Sequence, residues 1–173
     1  MALQKLSLVL GGAASGKSAF AENLVVASGR PRVYLATAQS FDAEMTGKIA
    51  AHRAARGEGW ETLEVPLDIA PALAAVSAEK MVILDCATLW LTNLQLSGAD
   101  PAGAPERFVA ALEGCAAPVV VVSNEVGQGI VPMHEMSRAF REAQGRLNQA
   151  VAARAGLVVA VMAGLPLVLK GAL

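Results

Sequence analysis

The chain has few of the residues that mark several large classes of protein. Among its 173 residues there are two cysteines, and aromatic side chains make up 4%. Cys86 and Cys115 are too few for a disulfide framework or a zinc cluster, and so few aromatic side chains offer no platform for stacking bases. Charged residues are 17% of the chain, and 14 Lys and Arg against 15 Asp and Glu leave a net charge of −1. This balance excludes a basic nucleic-acid binder, so we expect no nucleic-acid partner.

Long hydrophobic runs are also absent, although hydrophobic residues make up 54% of the chain. The longest uncharged apolar stretch, 155–169, is shorter than the roughly 20 residues that span a bilayer, and Gly164 and Pro166 interrupt it. The first residues, 1–5, lack the regions of a signal peptide. We therefore expect a cytoplasmic protein without a stable membrane span. The length predicts a single domain over residues 1–173, because domains usually have roughly 100–200 residues.

Short apolar runs alternate with amphipathic segments along the chain. The runs 6–10, 33–36, 81–84 and 119–122 predict buried strands. Helical spacing predicts helices at 18–28, 42–56, 68–77, 89–96, 106–114 and 134–155, with loops at 98–105 and 124–132. The terminal stretch predicts a strand, a turn at Gly164–Pro166 and a second strand. Apolar strands that alternate with helices indicate a three-layer α/β fold, with a mostly parallel sheet covered on both faces.

Residues Gly11–Ser18 fit the phosphate-loop pattern G-x-x-x-x-G-K-[ST], between a predicted strand and a predicted helix. Glycines let backbone N–H groups turn toward a polyphosphate, and the helix N-terminus adds the positive end of its dipole. We predict that Lys17 reaches the β and γ phosphates and that the Ser18 hydroxyl ligates Mg²⁺. Asp85 follows a buried strand, where a second metal-binding carboxylate is expected; the alternative is an ordinary helix N-cap.

The phosphate loop predicts a P-loop NTPase-like domain but leaves the reaction open, because kinases, GTPases and motor ATPases all use it. No Asn-Lys-x-Asp motif occurs in the chain, which argues against a Ras-like switch. Two general functions therefore remain possible for a chain with this loop. The first is a small-molecule kinase without a covalent step, and the second is a non-catalytic nucleotide-binding module that regulates a partner.

Five blocks of residues, in order along nearly the whole chain, carry a more specific signal. They are the phosphate loop with Ala21-Glu22, the segments 34–38, 42–53 and 60–64, and Ser123–Pro132, supported by 145–149. Together they resemble the bifunctional adenosylcobinamide kinase and adenosylcobinamide-phosphate guanylyltransferase family of cobalamin biosynthesis. The block Asn124–Pro132 is much more specific than the phosphate loop.

The resemblance implies two reactions. In the first, a nucleoside triphosphate, ATP or GTP, phosphorylates a hydroxyl group of adenosylcobinamide. In the second, a histidine attacks the α-phosphate of GTP, releases pyrophosphate and holds GMP covalently. That GMP then passes to adenosylcobinamide phosphate and gives adenosylcobinamide-GDP.

His52 matches the nucleophile of this family, and Lys17 is the second candidate catalytic residue. A neutral imidazole offers a nucleophilic nitrogen at pH 7, and a phosphorus–nitrogen bond is labile enough to be broken again by an acceptor. Without the resemblance, we would place His52 on a half-buried helix stripe with Met45 and Ile49. His134 matches no such motif and is expected near a helix N-terminus.

The resemblance also implies which residues surround the nucleotide. Arg53 and Arg56 lie three apart on one helical face, where they can hold phosphate oxygens, and the Glu64 carboxylate can accept two hydrogen bonds from guanine. The alternatives are a solvated basic turn for Arg56 and an exposed strand residue for Glu64. The full nucleotide-binding set is Gly12, Ala13, Ala14, Ser15, Gly16, Lys17, Ser18, Ala19, Ala36, Thr37, Ala38, Arg53, Ala54, Ala55, Arg56, Glu64 and Asp85. Ser18 and Asp85 are the candidate Mg²⁺ ligands, and Asn124 and Glu125 are candidate substrate or metal-shell residues.

Three positions depart from the family pattern. Ala14 stands where the family often has Arg, Ala51 replaces a frequent second histidine, and Asp85 stands where Glu is common. These departures leave the choice between ATP and GTP in the kinase step open. The apolar excess, together with the resemblance, predicts a homo-oligomer, with a trimer as the expected form.

Overall fold

The computed structural model describes residues 4–39, 43–99 and 103–173. Its strands are β1 (Leu6–Gly11), β2 (Arg32–Ala36), β3 (Trp60–Glu64), β4 (Met81–Asp85), β5 (Val119–Asn124), β6 (Leu157–Met162) and β7 (Leu165–Lys170). Its helices are α1 (Lys17–Ala27), α2 (Ala43–Arg56), α3 (Ile69–Ala74), α4 (Ala87–Leu96), α5 (Ala104–Glu113) and α6 (Glu135–Arg154).

The strands form one sheet in the order β3-β2-β4-β5-β1-β6-β7. All neighbouring pairs are parallel except β6 and β7, which are antiparallel. Successive side chains of a strand point to opposite faces, so Leu84 joins one apolar core and Ile83 the other. Helices α3 to α6 cover the first core and α1 covers the second. This confirms the predicted three-layer α/β fold with a mostly parallel sheet.

The two edges of the sheet differ from the sequence predictions. Trp60–Glu64 is not among the predicted buried strands, because three of its side chains are half-buried and two are exposed, without an apolar run. Pro166 was predicted in a turn but lies in β7, an edge strand that tolerates the missing N–H. All six residues of β7 are exposed, so the prediction of a sheet covered on both faces is wrong at this edge.

Several helix boundaries also differ from the prediction. Helix α4 begins at Ala87 because the Cys86 Sγ atom accepts a hydrogen bond from the backbone N–H of Leu89 and caps it. Helix α5 begins at Ala104, with Pro105 in its first turn, where a missing N–H costs nothing. The predicted loop 98–105 is shorter for this reason, and its residues 100–102 lie outside the described residues, as does Asp42 at the predicted start of α2.

The parallel strands bring their carboxyl ends to one edge of the sheet. Gly11 at the end of β1 pairs with Asn124 at the end of β5, and Ala36 at the end of β2 pairs with both Asp85 and Glu64. Open α/β sheets bind ligands at this edge. The fold therefore collects the phosphate loop and most of the predicted site residues on one side of the molecule.

Candidate functional site

The phosphate loop joins β1 to α1 through two residues with left-handed backbone, Ala14 with a φ of 53° and Gly16. Gly16 has a φ of 90° and precedes Lys17, the first residue of α1. The Lys17 Nζ atom donates a 3.1 Å hydrogen bond to the carbonyl oxygen of Gly12, so the side chain folds back over the loop. The Ser15 Oγ atom is buried with no hydrogen-bond partner among the described residues, and the loop residues Gly12, Ala13, Ala14, Gly16 and Ala19 are exposed. The loop thus exposes backbone groups to solvent, while the Ser15 hydroxyl stays buried.

A second group of side chains is organised around Tyr34, in the middle of β2. The Tyr34 hydroxyl donates a 3.0 Å hydrogen bond to Oδ2 of Asp85. Burial raises the pKa of Tyr34 far above its ordinary value, and the neighbouring Asp85 raises it further, so the hydroxyl keeps its proton. The guanidinium of Arg56 lies over the Tyr34 ring, 3.4 Å from its centroid. Its Nη2 atom also donates a 3.4 Å hydrogen bond to Thr62 Oγ1, so Arg56 is not the solvated residue of the alternative reading.

A cavity of about 160 Å³ opens beside this group, at the ends of β2, β3 and β4. It is lined by Tyr34, Ala36, Ala38, His52, Arg53, Arg56, Thr62, Glu64, Asp85 and Leu89. Most of these residues were predicted to surround the nucleotide. His52 and Arg53 are exposed, so the imidazole is open to solvent at the cavity rim and is not the half-buried stripe residue of the alternative reading.

Some predicted residues do not line this cavity. Thr37 is fully buried, and its hydroxyl both donates to the Cys86 carbonyl and accepts from the Cys86 N–H, each at 2.8 Å. Thr37 therefore fixes the chain just after Asp85 instead of facing a ligand. Ala54 is exposed on α2 outside the cavity, and the side chain of Ala55 lies outside the described residues, as do those of Met45 and Ile49. The phosphate-loop residues 12–19 do not line the cavity but lie at the same edge of the sheet.

Glu22 is a charged residue near the site that the sequence reading did not assign to it. It lies on α1, one turn after Ser18, and its Oε1 atom is buried with no hydrogen-bond partner among the residues that the structure describes. Burial raises the pKa of Glu22, the charges of His52 and Arg56 lower it, and the charge of Asp85 raises it. Glu22 follows Ser18 by four residues, which places both side chains on the same face of a helix. This spacing is the feature of the sequence that could have identified Glu22 as a site residue.

The carboxyl end of β5 is held by buried polar side chains. The N–H of Asn124 donates to Thr88 Oγ1 at 2.9 Å, and its carbonyl accepts from Asn148 Nδ2 at 3.1 Å. The N–H of Glu125 donates to the Gly11 carbonyl at 3.1 Å, which ties this end to the phosphate loop. Both candidate residues therefore stand beside the loop. His134 is the N-cap residue of α6, as predicted.

The residues available for Mg²⁺ are oxygen donors. Within residues 4–39, 43–99 and 103–173, no group of three or more His, Cys, Asp or Glu side chains is placed to hold a metal ion. Mg²⁺ at nucleotide sites takes one or two protein oxygens together with phosphate oxygens and water, and the Ser18 hydroxyl and Asp85 carboxylate fit that chemistry. In the same described part of the chain, no helix has the length and apolar character needed to cross a membrane.

The fold and the loop define a nucleotide-binding protein with a P-loop NTPase-like fold. Solved structures with a similar fold include the RadB recombinase, with a TM-score of 0.51 and 17% identity over 91% of this chain and 74% of that chain. Another is the flagellar accessory protein FlaH of Methanocaldococcus jannaschii, with a TM-score of 0.52 and 12% identity over 98% of this chain and 80% of that one. At these identities the likeness is one of fold alone.

The family model described as cobinamide kinase / cobinamide phosphate guanyltransferase matches residues 7–169. Bifunctional adenosylcobalamin biosynthesis proteins are similar over nearly their whole length: CobP of Pseudomonas aeruginosa is 46% identical over 95% of this chain and 96% of its own. CobU of Salmonella typhimurium is 39% identical over 94% and 98%, and CobU of Escherichia coli is 37% identical over the same shares. The chain belongs to the cobinamide kinase / cobinamide phosphate guanyltransferase family, which confirms the resemblance.

Proposed function

We propose that this chain catalyses both reactions of its family at one site, with His52 as the residue that carries GMP. The observation that carries the proposal is the position of His52. Its imidazole is open to solvent and lines the same cavity as Arg53, Arg56 and Glu64. Two cations that attract phosphate oxygens and one carboxylate that accepts from guanine thus surround a nitrogen nucleophile.

The phosphate loop binds the polyphosphate in this proposal. Its backbone N–H groups and the N-terminus of α1 attract the phosphate oxygens, and Lys17 neutralises charge on the β and γ phosphates. A phosphate oxygen would also supply the acceptor that the buried Ser15 hydroxyl lacks. Ser18 and Asp85 would hold Mg²⁺, which supplies further charge neutralisation on the triphosphate.

In the kinase step, the hydroxyl oxygen of adenosylcobinamide attacks the γ-phosphorus of ATP or GTP, and the bond to the β-phosphate oxygen breaks. The hydroxyl proton passes to solvent water, and the nucleoside diphosphate leaves with the electron pair. The protein contributes position and charge stabilisation in this step. Lys17 is the residue on which we expect the rate to depend most.

In the transfer step, a neutral imidazole nitrogen of His52 attacks the α-phosphorus of GTP, and pyrophosphate leaves with the electrons of the broken P–O bond. A phosphate oxygen of adenosylcobinamide phosphate then attacks the same phosphorus, and the P–N bond breaks to regenerate the imidazole. One displacement thus becomes two easier ones. Glu64 selects guanine, and the small side chains of Ala36 and Ala38 leave room for the nucleoside.

Incubation with GTP labelled at the α-phosphate tests the proposal. We expect protein-bound label that is lost in acid and stable in base, as a phosphoramidate is. His52→Ala should abolish the label. His134→Ala is the matched control, because it removes the other histidine of the chain from the exposed N-cap of α6, and it should label like the wild type.

The same assay separates the alternatives. An unlabelled wild-type protein that still phosphorylates cobinamide would be a kinase without the covalent step. A protein that binds GTP but shows neither activity would be a regulatory nucleotide-binding module. Label that persists in His52→Ala would overturn the assignment of His52.

We also propose that copies of the chain associate, with a trimer as the expected form. Leu165, Leu167 and Leu169 are exposed on β7, an unpaired edge of the sheet, where apolar side chains favour association. Light scattering should show a mass above that of one chain, and Leu167→Asp should lower it. Leu96→Asp, an equally exposed leucine at the end of α4, should not. The cytoplasmic location stays a prediction.

A further inference from the structure

Tyr34 contacts two groups to which the proposed function gives different tasks. Its hydroxyl donates to Oδ2 of Asp85 at 3.0 Å, and its ring carries the guanidinium of Arg56 at 3.4 Å from the centroid. Its position in β2 explains this double contact. Tyr34 pairs with Ile83 of β4 on one side and with Thr62 of β3 on the other, so it lies between the strand that ends at Asp85 and the strand that follows α2.

We propose that Tyr34 is a positioning residue for both parts of the site: its ring holds Arg56 in the cavity and its hydroxyl orients Asp85. The inference rests on the proposed function, because it assigns Tyr34 a task through residues that bind the nucleotide and the cation. Tyr34 itself is 7% exposed and belongs to the core beneath α1.

The proposed role of the Tyr34 ring depends on the contacts that hold the Arg56 guanidinium in place. A guanidinium over the face of an aromatic ring is attracted by the electrons of the ring, and more strongly where water is excluded. Trp60 meets the Tyr34 ring edge-on, with centroids 6.1 Å apart and an interplanar angle of 86°, which restricts the tilt of the ring. The guanidinium also lies over the Trp60 ring, at a longer distance of 5.7 Å from the centroid. The Nε atom of Arg56 is buried with no hydrogen-bond partner in the described part of the chain, so the near Tyr34 ring, the more distant Trp60 ring and the long bond to Thr62 orient the group.

The position of Arg56 also matters for His52. Arg56 is the last residue of α2, and His52 lies one turn earlier on the same helix. A contact that fixes Arg56 against the sheet therefore fixes the end of the helix that carries the nucleophile. Loss of the ring should misplace both the arginine and the imidazole.

The proposed role of the Tyr34 hydroxyl depends on how it contacts the two carboxylate oxygens of Asp85. The hydrogen bond from Tyr34 occupies Oδ2 and sets the plane of the carboxylate at the end of β4. Tyr34 does not contact Oδ1, which would be the oxygen available to a cation. Residues that hold ligating carboxylates by hydrogen bonds usually tune metal affinity.

Tyr34→Phe isolates the hydroxyl, since it keeps the ring and the core packing. We would titrate a non-hydrolysable GTP analogue by calorimetry at increasing Mg²⁺ concentrations. The Mg²⁺ concentration that gives half of the metal-dependent gain in affinity should rise about tenfold to a hundredfold, as is typical when the partner of a ligating carboxylate is removed. Affinity for the analogue without Mg²⁺ should equal that of the wild type. A packing role alone predicts no change in the Mg²⁺ dependence.

Tyr34→Leu and Arg56→Ala test the ring, singly and together, by the rate of covalent labelling from GTP at saturating Mg²⁺. If the ring acts through Arg56, each single change slows labelling and the double change is no slower than Arg56→Ala, because the two effects are not additive. Arg32→Ala is the matched control: Arg32 lies over Trp60 at 5.2 Å, outside the cavity, and its removal should leave labelling at the wild-type rate.

Two results would overturn the inference: a wild-type Mg²⁺ dependence in folded Tyr34→Phe, or effects of Tyr34→Leu and Arg56→Ala that multiply in the double variant. Circular dichroism establishes that each variant is folded. If Tyr34→Leu does not fold, the Mg²⁺ titration of Tyr34→Phe still decides. A wild-type protein without label, by contrast, would contradict the proposed function and not the role of Tyr34.

Discussion

The backbone N–H of Gly164 donates a 2.9 Å hydrogen bond to the carbonyl oxygen of Ser15, so the β6–β7 turn touches the phosphate loop. The contact is close on both sides. A Cβ atom on Gly16 would lie 3.1 Å from the Cα atom of Gly164, and Gly164 itself has a φ of 78°. The turn at the exposed edge of the sheet thus supports the back of the loop that is proposed to bind phosphate.

We therefore expect Gly164→Ala to weaken nucleotide binding, because alanine at this φ displaces the turn. Gly98→Ala is the matched control, since Gly98 has a φ of 71°, lies outside the site and also has open space around a Cβ. Both changes should lower the free energy of unfolding by about 1–2 kcal/mol, the cost of left-handed backbone. Only Gly164→Ala should raise the dissociation constant of a GTP analogue, measured by calorimetry; equal affinities in both variants would show that the turn does not support the loop.

Lys17→Ala should reduce kinase turnover by about 10²–10³-fold with the fold intact, because the lysine charge acts mainly on the transition state. Lys170→Ala is a suitable control. Its Nζ atom also donates to carbonyl oxygens, those of Ala152 and Ala153, at the C-terminus of α6. Steady-state phosphorylation of cobinamide measures the effect, and a folded Lys17→Ala enzyme with wild-type turnover would contradict the role of this lysine.

The sequence predicts the central part of the fold because its strands are uniform. The runs 81–84 and 119–122 are wholly apolar, as strands buried on both faces must be, and both lie in the middle of the sheet. The edges obey weaker rules. None of the five side chains of Trp60–Glu64 is fully buried, and β7 places Pro166 and leucines in solvent, so neither resembles a buried strand.

The sequence likewise predicts one part of the site, the phosphate loop, better than the other part, the cavity. The phosphate loop is a local feature, so its position between β1 and α1 follows from eight consecutive residues. The cavity depends instead on strand register, which places Tyr34 between Ile83 and Thr62 and brings Arg56 over its ring. Thr37 lies in the same sequence block as Ala36 and Ala38, but the alternation of strand faces and the pairing with Cys86 bury it. Such contacts between distant segments cannot be read from spacing along the chain.

Asn148→Ala should destabilise the protein by about 2–4 kcal/mol, since it leaves more than one buried group without a partner. Asn148 Oδ1 accepts from Ser123 Oγ at 2.6 Å and from Gln144 Nε2 at 3.0 Å, while its Nδ2 donates to the Asn124 carbonyl. Gln149→Ala, at the exposed neighbouring position, should change stability by less than about 0.5 kcal/mol. Urea denaturation measures both, and a small effect of Asn148→Ala would mean that water replaces the lost contacts.

Glu22→Gln should stabilise the protein at neutral pH and not in acid. Burial raises the pKa of Glu22 above its ordinary value of 4.5, despite the opposing charges of His52 and Arg56. The folded protein therefore keeps a proton that the unfolded chain has lost, and its stability falls as the pH rises from 4.5 through the folded-state pKa. Glutamine removes this loss, so the difference in unfolding free energy between variant and wild type should be near zero below pH 4.5 and reach its maximum above the folded-state pKa.

Glu79→Gln should change the free energy of unfolding in the opposite direction to Glu22→Gln, so a comparison of the two tests the cause of the Glu22 effect. The hydrogen bond from the Ser77 hydroxyl, at 2.5 Å, lowers the pKa of Glu79 below 4.5. Ionised Glu79 thus favours the folded state above pH 4.5, and this contribution is lost as the pH falls through the folded-state pKa. Glu79→Gln should therefore destabilise the protein at neutral pH and have no effect in strong acid. Urea denaturation between pH 3 and pH 8 compares the two; a loss of stability in Glu22→Gln at neutral pH would mean that attraction to His52 and Arg56 outweighs the burial of the carboxylate.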